Sequence, residues 1–103
     1  MTIGEIAGFC NRSLLRWTSH VLKRLFERNI CLDDVKTVLM NGEIIEQYPD
    51  DYPFPSCLLL GYTSTGRPLH IVCGSNGTEL WIITAYFPNP ANWTDDFRQR
   101  RKV

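Results

Sequence analysis

Three apolar runs in the second half of the chain constrain its fold more than any other feature. Cys57 to Thr63, Leu69 to Cys73 and Leu80 to Phe87 are rich in Leu, Ile, Val and aromatic residues, and short turns at Thr65-Gly66 and Asn76-Gly77 separate them. Such runs favour strands, and Asn-Gly between two of them is the strongest short hairpin signal. Connections this short leave no room for a crossover helix, so the three strands must run antiparallel in chain order. Glu43-Ile44-Ile45-Glu46-Gln47-Tyr48 supplies a fourth strand. Between it and Cys57, Pro49-Asp50-Asp51-Tyr52-Pro53-Phe54-Pro55 holds three prolines and must be a loop.

With two residues in each turn, Gly61 falls opposite His70 and Cys57 opposite Gly74, while Ile83 falls opposite His70 from the other side. One sheet face then carries Leu58, Leu60, Leu69, Ile71, Thr84 and Tyr86. The other carries Leu59, Gly61, His70, Val72, Trp81 and Ile83. Both faces are apolar, so both are packed or the second mediates self-association as a homodimer. In this register Cys57 and Cys73 lie on opposite faces.

The first forty residues are helical in pattern. After a cap at Asn11 or Ser13, Leu14, Leu15, Val21, Leu22, Leu25 and Phe26 recur at three-to-four spacing, and Asn29 stops the helix. A second helix opens at Leu32-Asp33, buries Val35, Val38 and Leu39, and ends at Asn41-Gly42. Residues 2–10 carry only a weak signal for a further turn or two. Thr94 with Asp95 is placed to cap a last helix through Arg101. The expectation is an α+β single domain over 1–103: two N-terminal helices, a four-stranded antiparallel meander sheet and a C-terminal helix.

A length of 103 residues suits one domain on a prior of roughly 100–200 residues, and 44% apolar with 21% charged residues is ordinary globular composition. No run of eighteen apolar residues occurs, which predicts no membrane helix, and the N-terminus has no export-signal pattern, which predicts a cytoplasmic location. Four cysteines at 10, 31, 57 and 73 form no C-x-x-C, so a structural zinc site is not expected and reduced thiols are. The net charge is zero. Residues 1–40 carry six basic and four acidic groups, 41–55 carry four acidic and no basic ones, and 56–103 carry five basic and three acidic. A neutral total excludes indiscriminate coating of nucleic acid but not a local anion site.

One such site is written in the spacing. Arg16, His20, Arg24 and Arg28 are four residues apart and drift only about 40° per step around a helix, so they line one stripe. Guanidinium forks with an imidazole suit a phosphate and proton transfer near neutral pH. The same spacing also suits a solvated helix edge whose arginines pair with Glu27 or with the acidic Glu43–Asp51 segment. His70, mid-strand and opposite the side-chain gap at Gly61, is either a hydrogen-bonded core residue or a ligand group. Thr84 and Tyr86 either satisfy buried partners or point into a cleft. Two histidines, arginines and a tyrosine, without metal-ligand spacing, permit metal-free phosphodiester cleavage with no cofactor.

Five motifs in order over about residues 19–100 resemble a bacterial family of domains of unknown function. They are a helical His-xxx-Arg-xxx-Arg, Gly-Glu-Ile-Ile, Tyr-Pro-Asp-Asp, Gly-Arg-Pro-Leu-His and Thr-x-Tyr-x-Pro. That family is distantly similar to RelE- and BrnT-type toxins of the barnase–colicin–RelE ribonuclease group. The resemblance implies a RelE-like α+β fold, RNA as substrate, an antitoxin protein as partner, and His20, Arg24, Arg28, His70, Thr84 and Tyr86 as site residues. In a flat register His70 and the Thr84–Tyr86 pair face opposite sides, so they share one site only if a bulge intervenes. The alternative function is a non-catalytic domain, dimeric through a sheet face, that binds a protein or an anionic ligand.

Overall fold

The computed structural model describes residues 1–102. Within them the chain forms α1 (Ile3–Asn11), β1 (Leu15–Trp17), α2 (Ser19–Glu27), α3 (Leu32–Asn41), β2 (Glu43–Tyr48), β3 (Ser56–Tyr62), β4 (Pro68–Ser75) and β5 (Leu80–Tyr86). The strands join one sheet in the order β1-β5-β4-β3-β2, with β1 parallel to β5 and the other neighbours antiparallel. The expected four-stranded meander is thus a five-stranded mixed sheet, and the expected C-terminal helix is absent from the described residues.

Each departure has a local cause. Thr2 and Glu5 close a reciprocal capping box that starts α1, and Ile6 and Phe9 bury its apolar side. Ser13 then adopts a left-handed φ of 57°, which stops the helix before Leu14. Leu15 and Trp17 turn half-buried sides inward around exposed Arg16, a strand alternation, and pair with Leu80 and Ile82 of β5. Thr18 caps α2 by accepting the Val21 N–H at 3.1 Å. At the other end, Thr94–Arg101 offers only Phe97 as an apolar side chain, too little for a helix to bury. The Thr94 hydroxyl instead bonds Asp96 at 2.7 Å, its N–H reaches the Gln99 carbonyl at 2.8 Å, and Trp93 bridges to Arg100.

The register also differs. Thr63 and Arg67 flank a three-residue loop, with the Thr63 N–H donating to the Arg67 carbonyl at 2.8 Å and Gly66 at φ 82°. That longer loop slips β3 against β4 by one residue from the two-residue register, so Leu60 faces His70 and Cys57 faces Cys73. Cys57 and Cys73 are free thiols on the same face with sulfurs 3.9 Å apart. Between β4 and β5 the Asn76 side-chain oxygen collects the N–H groups of Thr78 and Glu79 in a four-residue loop, and Ser75 pairs with Leu80.

Leu59, Leu69, Ile71, Cys73, Leu80, Ile82 and Ala85 join Val21, Leu25, Val35, Val38 and Leu39 in the core under the helices. Gly61 is no gap: a Cβ there would lie 2.7 and 2.8 Å from the two methyls of Val38. The second face, with Leu58, Leu60 and His70, is covered by the chain itself. Trp93 packs on His70, and Arg98 and Arg100 tie the C-terminal strap to Glu43 and Glu46 of β2.

Candidate functional site

The short length of β1 creates the site. Its last pair is Trp17 with Ile82, so Ile83–Tyr86 of β5 have no strand beside them on that side. The chain leaves β1 directly into α2, which runs past this open edge. Val21 and Leu25 enter the core, and His20, Arg24 and Arg28 follow at four-residue spacing on the exposed flank. The helix stops where Asn29 takes a left-handed φ of 58° and the Ile30 N–H reaches back to the Leu25 carbonyl at 2.9 Å.

On β5 a bulge completes the wall. Val72 pairs with Thr84 but Cys73 pairs with Ile82, leaving Ile83 as the extra residue. Beyond it Thr84 and Tyr86 lie on the His70 face, while Ala85 turns into the core. Arg28 spans from helix to strand: its Nη1 donates to the Ala85 carbonyl at 2.8 Å and to Thr84 Oγ1 at 3.3 Å. The result is a cavity of about 340 Å³ lined by His20, Val21, Arg24, Arg28, Ile83, Thr84 and Ala85.

Its electrostatics are unusual for a neutral protein. Arg16, Arg98, Arg100 and Arg101 are paired with Glu79, Glu43, Glu46 and Asp95. Among the described residues no carboxylate lies within ion-pair distance of Arg24 or Arg28. Of the acidic Glu43–Asp51 segment, Glu43 and Glu46 pair with the C-terminal strap, and none of its carboxylates pairs with the helix. Arg28 uses one nitrogen to hold the sheet edge, which leaves the Nε and Nη2 side of its fork for a planar anion. Thr84 Oγ1 accepts from Arg28 and keeps its own O–H to donate. Such a wall can bind phosphate oxygens at two or three points, with an imidazole at its border.

The six sequence-derived residues therefore separate. His20, Arg24, Arg28 and Thr84 share the cavity; His70 and Tyr86 do not line it. Arg16 left the helical stripe when its segment became β1, and lies on Glu79 at 3.0 Å and over the Trp81 ring. His70 is fully buried. Its Nε2 donates to the Phe97 carbonyl at 2.9 Å, its Nδ1 receives the Tyr86 hydroxyl at 3.3 Å, and Trp93 stands edge-on 4.4 Å away between ring centres. Burial holds its pKa below the ordinary histidine value, against the opposing pull of the Phe97 carbonyl and Glu46. Beside it, burial works against ionisation of Glu46, but hydrogen bonds from Arg100 and Tyr48 outweigh it and hold the carboxylate below its usual range. Burial, then the bond to Glu46, pushes Tyr48 up to about 12.

Sequence reasoning missed Ile83 and the Ala85 carbonyl, because a bulge leaves no residue signature there. Among the described residues no three His, Cys, Asp or Glu side chains converge as a metal site, and no helix is long and apolar enough to cross a membrane.

Fold and cavity together define a small α+β domain with a cationic cleft at an open sheet edge. The chain belongs to the DUF4258 family, a domain of unknown function, which matches residues 17–87. That span runs from the end of β1 to just past β5 and contains every cavity residue, while α1 and the C-terminal strap lie outside it. No curated protein and no solved structure matches the chain significantly.

Proposed function

We propose that the α2–β5 cleft binds the phosphodiester backbone of RNA and that the chain is a metal-independent endoribonuclease. The carrying observation is the convergence of His20, Arg24, Arg28 and Thr84 on one cavity with no carboxylate to neutralise the two arginines. In this reading the neutral His20 imidazole takes the 2′-hydroxyl proton as that oxygen bonds to the adjacent phosphorus. Arg24, Arg28 and the Thr84 hydroxyl hold the charge that grows on the phosphoryl oxygens. The bond from phosphorus to the 5′ oxygen breaks, and that oxygen takes a proton from water. The hydroxide left behind is neutralised by the imidazolium, so His20 ends neutral. The products are a 2′,3′-cyclic phosphate and a 5′-hydroxyl. A toxin-like role, silenced by an antitoxin protein, belongs to the same proposal through the resemblance to the RelE group.

One observation favours a second reading, a non-catalytic anion-binding domain. The second pair of proton-transfer groups, His70 and Tyr86, is bonded together away from the cavity. Single-stranded RNA incubated with the protein and a chelator separates the two. Cleavage to cyclic phosphate ends, reduced about a hundredfold or more in a folded His20→Ala variant, is the expected result. An active, folded His20→Ala protein overturns the role of His20, and cleavage abolished by chelator overturns the metal-independent mechanism. RNA bound in an Arg24-dependent way but left intact establishes the second reading.

A further inference from the structure

A second cavity, of about 320 Å³, meets the cationic one at Ile83. Asp51, Tyr52, Pro53 and Phe54 of the proline loop form one wall, and Trp81 and Ile83 of β5 form the other. Ile83, the bulged residue, belongs to both cavities, so a ligand passing over it touches both. The loop gets this close because Gly74, paired with Trp81, has no side chain. A Cβ there would stand 3.0 Å from the Pro55 carbonyl oxygen and 3.4 Å from Ile83 Cδ1.

The lining suits a flat aromatic ligand. Tyr52 is 91% exposed and Ile83 45% exposed, an open ring and an open aliphatic surface facing the solvent at one opening. At the rim the Asp51 carboxylate is held by the Ser56 hydroxyl at 2.6 Å and the Tyr52 N–H at 3.1 Å. A carboxylate accepts only, so it favours a ring presenting adjacent N–H donors.

The geometry points to a nucleobase subsite: the pocket takes a base of the strand whose phosphate occupies the α2–β5 cleft, and guanine, with its N1–H and N2–H₂ side by side, fits Asp51 best. This inference deepens the ribonuclease reading and rests on it for the identity of the polymer. Aromatic stacking contributes to single-strand binding for every base, and a carboxylate at the rim adds selection.

Three small ligands test it separately from the phosphate site: guanosine, ribose 5-phosphate and guanosine 5′-monophosphate, titrated while the indole N–H resonance of Trp81 reports on the base pocket and the Nε–H resonances of Arg24 and Arg28 report on the phosphate cleft by NMR. Guanosine and the nucleotide are expected to shift the Trp81 resonance, and the nucleotide to bind at least about fivefold more tightly than ribose 5-phosphate. Tyr52→Ala should abolish guanosine binding and leave ribose 5-phosphate binding intact, whereas Arg24→Ala should do the reverse. Ribose 5-phosphate binding as tightly as the nucleotide, with guanosine silent, overturns the subsite and leaves the phosphate site standing. Guanosine bound with ribose 5-phosphate silent keeps the subsite and overturns the phosphate site. Silence from all three overturns both. Uridine binding as tightly as guanosine overturns the role of Asp51.

Discussion

Arg24 and His70 are the two residues whose substitution separates binding from stability, and Arg28 serves both. Arg28 holds the sheet edge through the Ala85 carbonyl as well as facing the cavity. Arg28→Ala should therefore weaken RNA binding and also lower unfolding stability by about 1 kcal/mol. Arg24→Ala should weaken binding alone, with stability changed by less than about 0.5 kcal/mol. Urea unfolding of the two variants beside wild type checks both. His70 is buried with both ring nitrogens engaged, so His70→Ala should cost about 3 kcal/mol. Its depressed pKa fixes a pH dependence. An unfolded imidazole titrates near 6.5, so between that value and the lower folded one the unfolded chain binds more protons. The stability contributed is full above about pH 6.5 and falls as pH drops through this window, before most carboxylates protonate. Urea unfolding at pH 7 and 5.5 should show the loss in wild type and not in His70→Gln. The sequence pattern could not assign His70 to this role, because the residues that enclose it, Trp93, Phe97 and Tyr86, reach it through a strap and a shifted register.

Among the elements, those bounded by strong punctuation were legible and those set by pairing were not. β2 begins after Gly42 and ends before Pro49, and α3 has an apolar triplet at helical spacing; both lie where periodicity and turn residues place them. α2 was legible in its register, since four-residue spacing is unchanged by where a helix begins. β1 was not, because three residues carry no period of their own and become a strand only against β5. The register of β3, β4 and β5 was hidden by loop length: Thr65-Gly66 serves a two- or a three-residue turn equally well, and one residue exchanges the faces. The contact of α3 with β3 gives a test of the observed register. Gly61→Ala would push a methyl into the Val38 side chain, whose branched Cβ cannot swing aside, and should cost about 1–3 kcal/mol. Val38→Ala made together with Gly61→Ala should recover part of that loss, a coupling that a double-mutant cycle in urea measures. Independent, additive losses would mean that Gly61 does not face Val38.

For the whole molecule, a net charge of zero and a cationic cleft are compatible because no carboxylate lines the cleft. Glu43 and Glu46 fasten the C-terminal strap over the second sheet face, and Glu79 holds Arg16 beside Trp81. Arg24 and Arg28 make a small, local field in the cleft. RNA affinity should accordingly depend only weakly on salt, with a log–log slope of roughly −1.4 for two contacted phosphates on a single strand. A steep slope would mean that the arginines of the strap also contact the strand. The most direct measurement is an NMR titration with a short single-stranded RNA carrying 2′-O-methyl riboses, which removes the attacking hydroxyl. Signals to follow are the arginine Nε–H groups and the histidine rings. Binding in the α2–β5 cleft predicts saturable shifts at Arg24, Arg28 and His20, with Arg98, Arg100, Arg101 and His70 unmoved. Shifts that centre on the strap, or none at the cleft at saturating RNA, would contradict it.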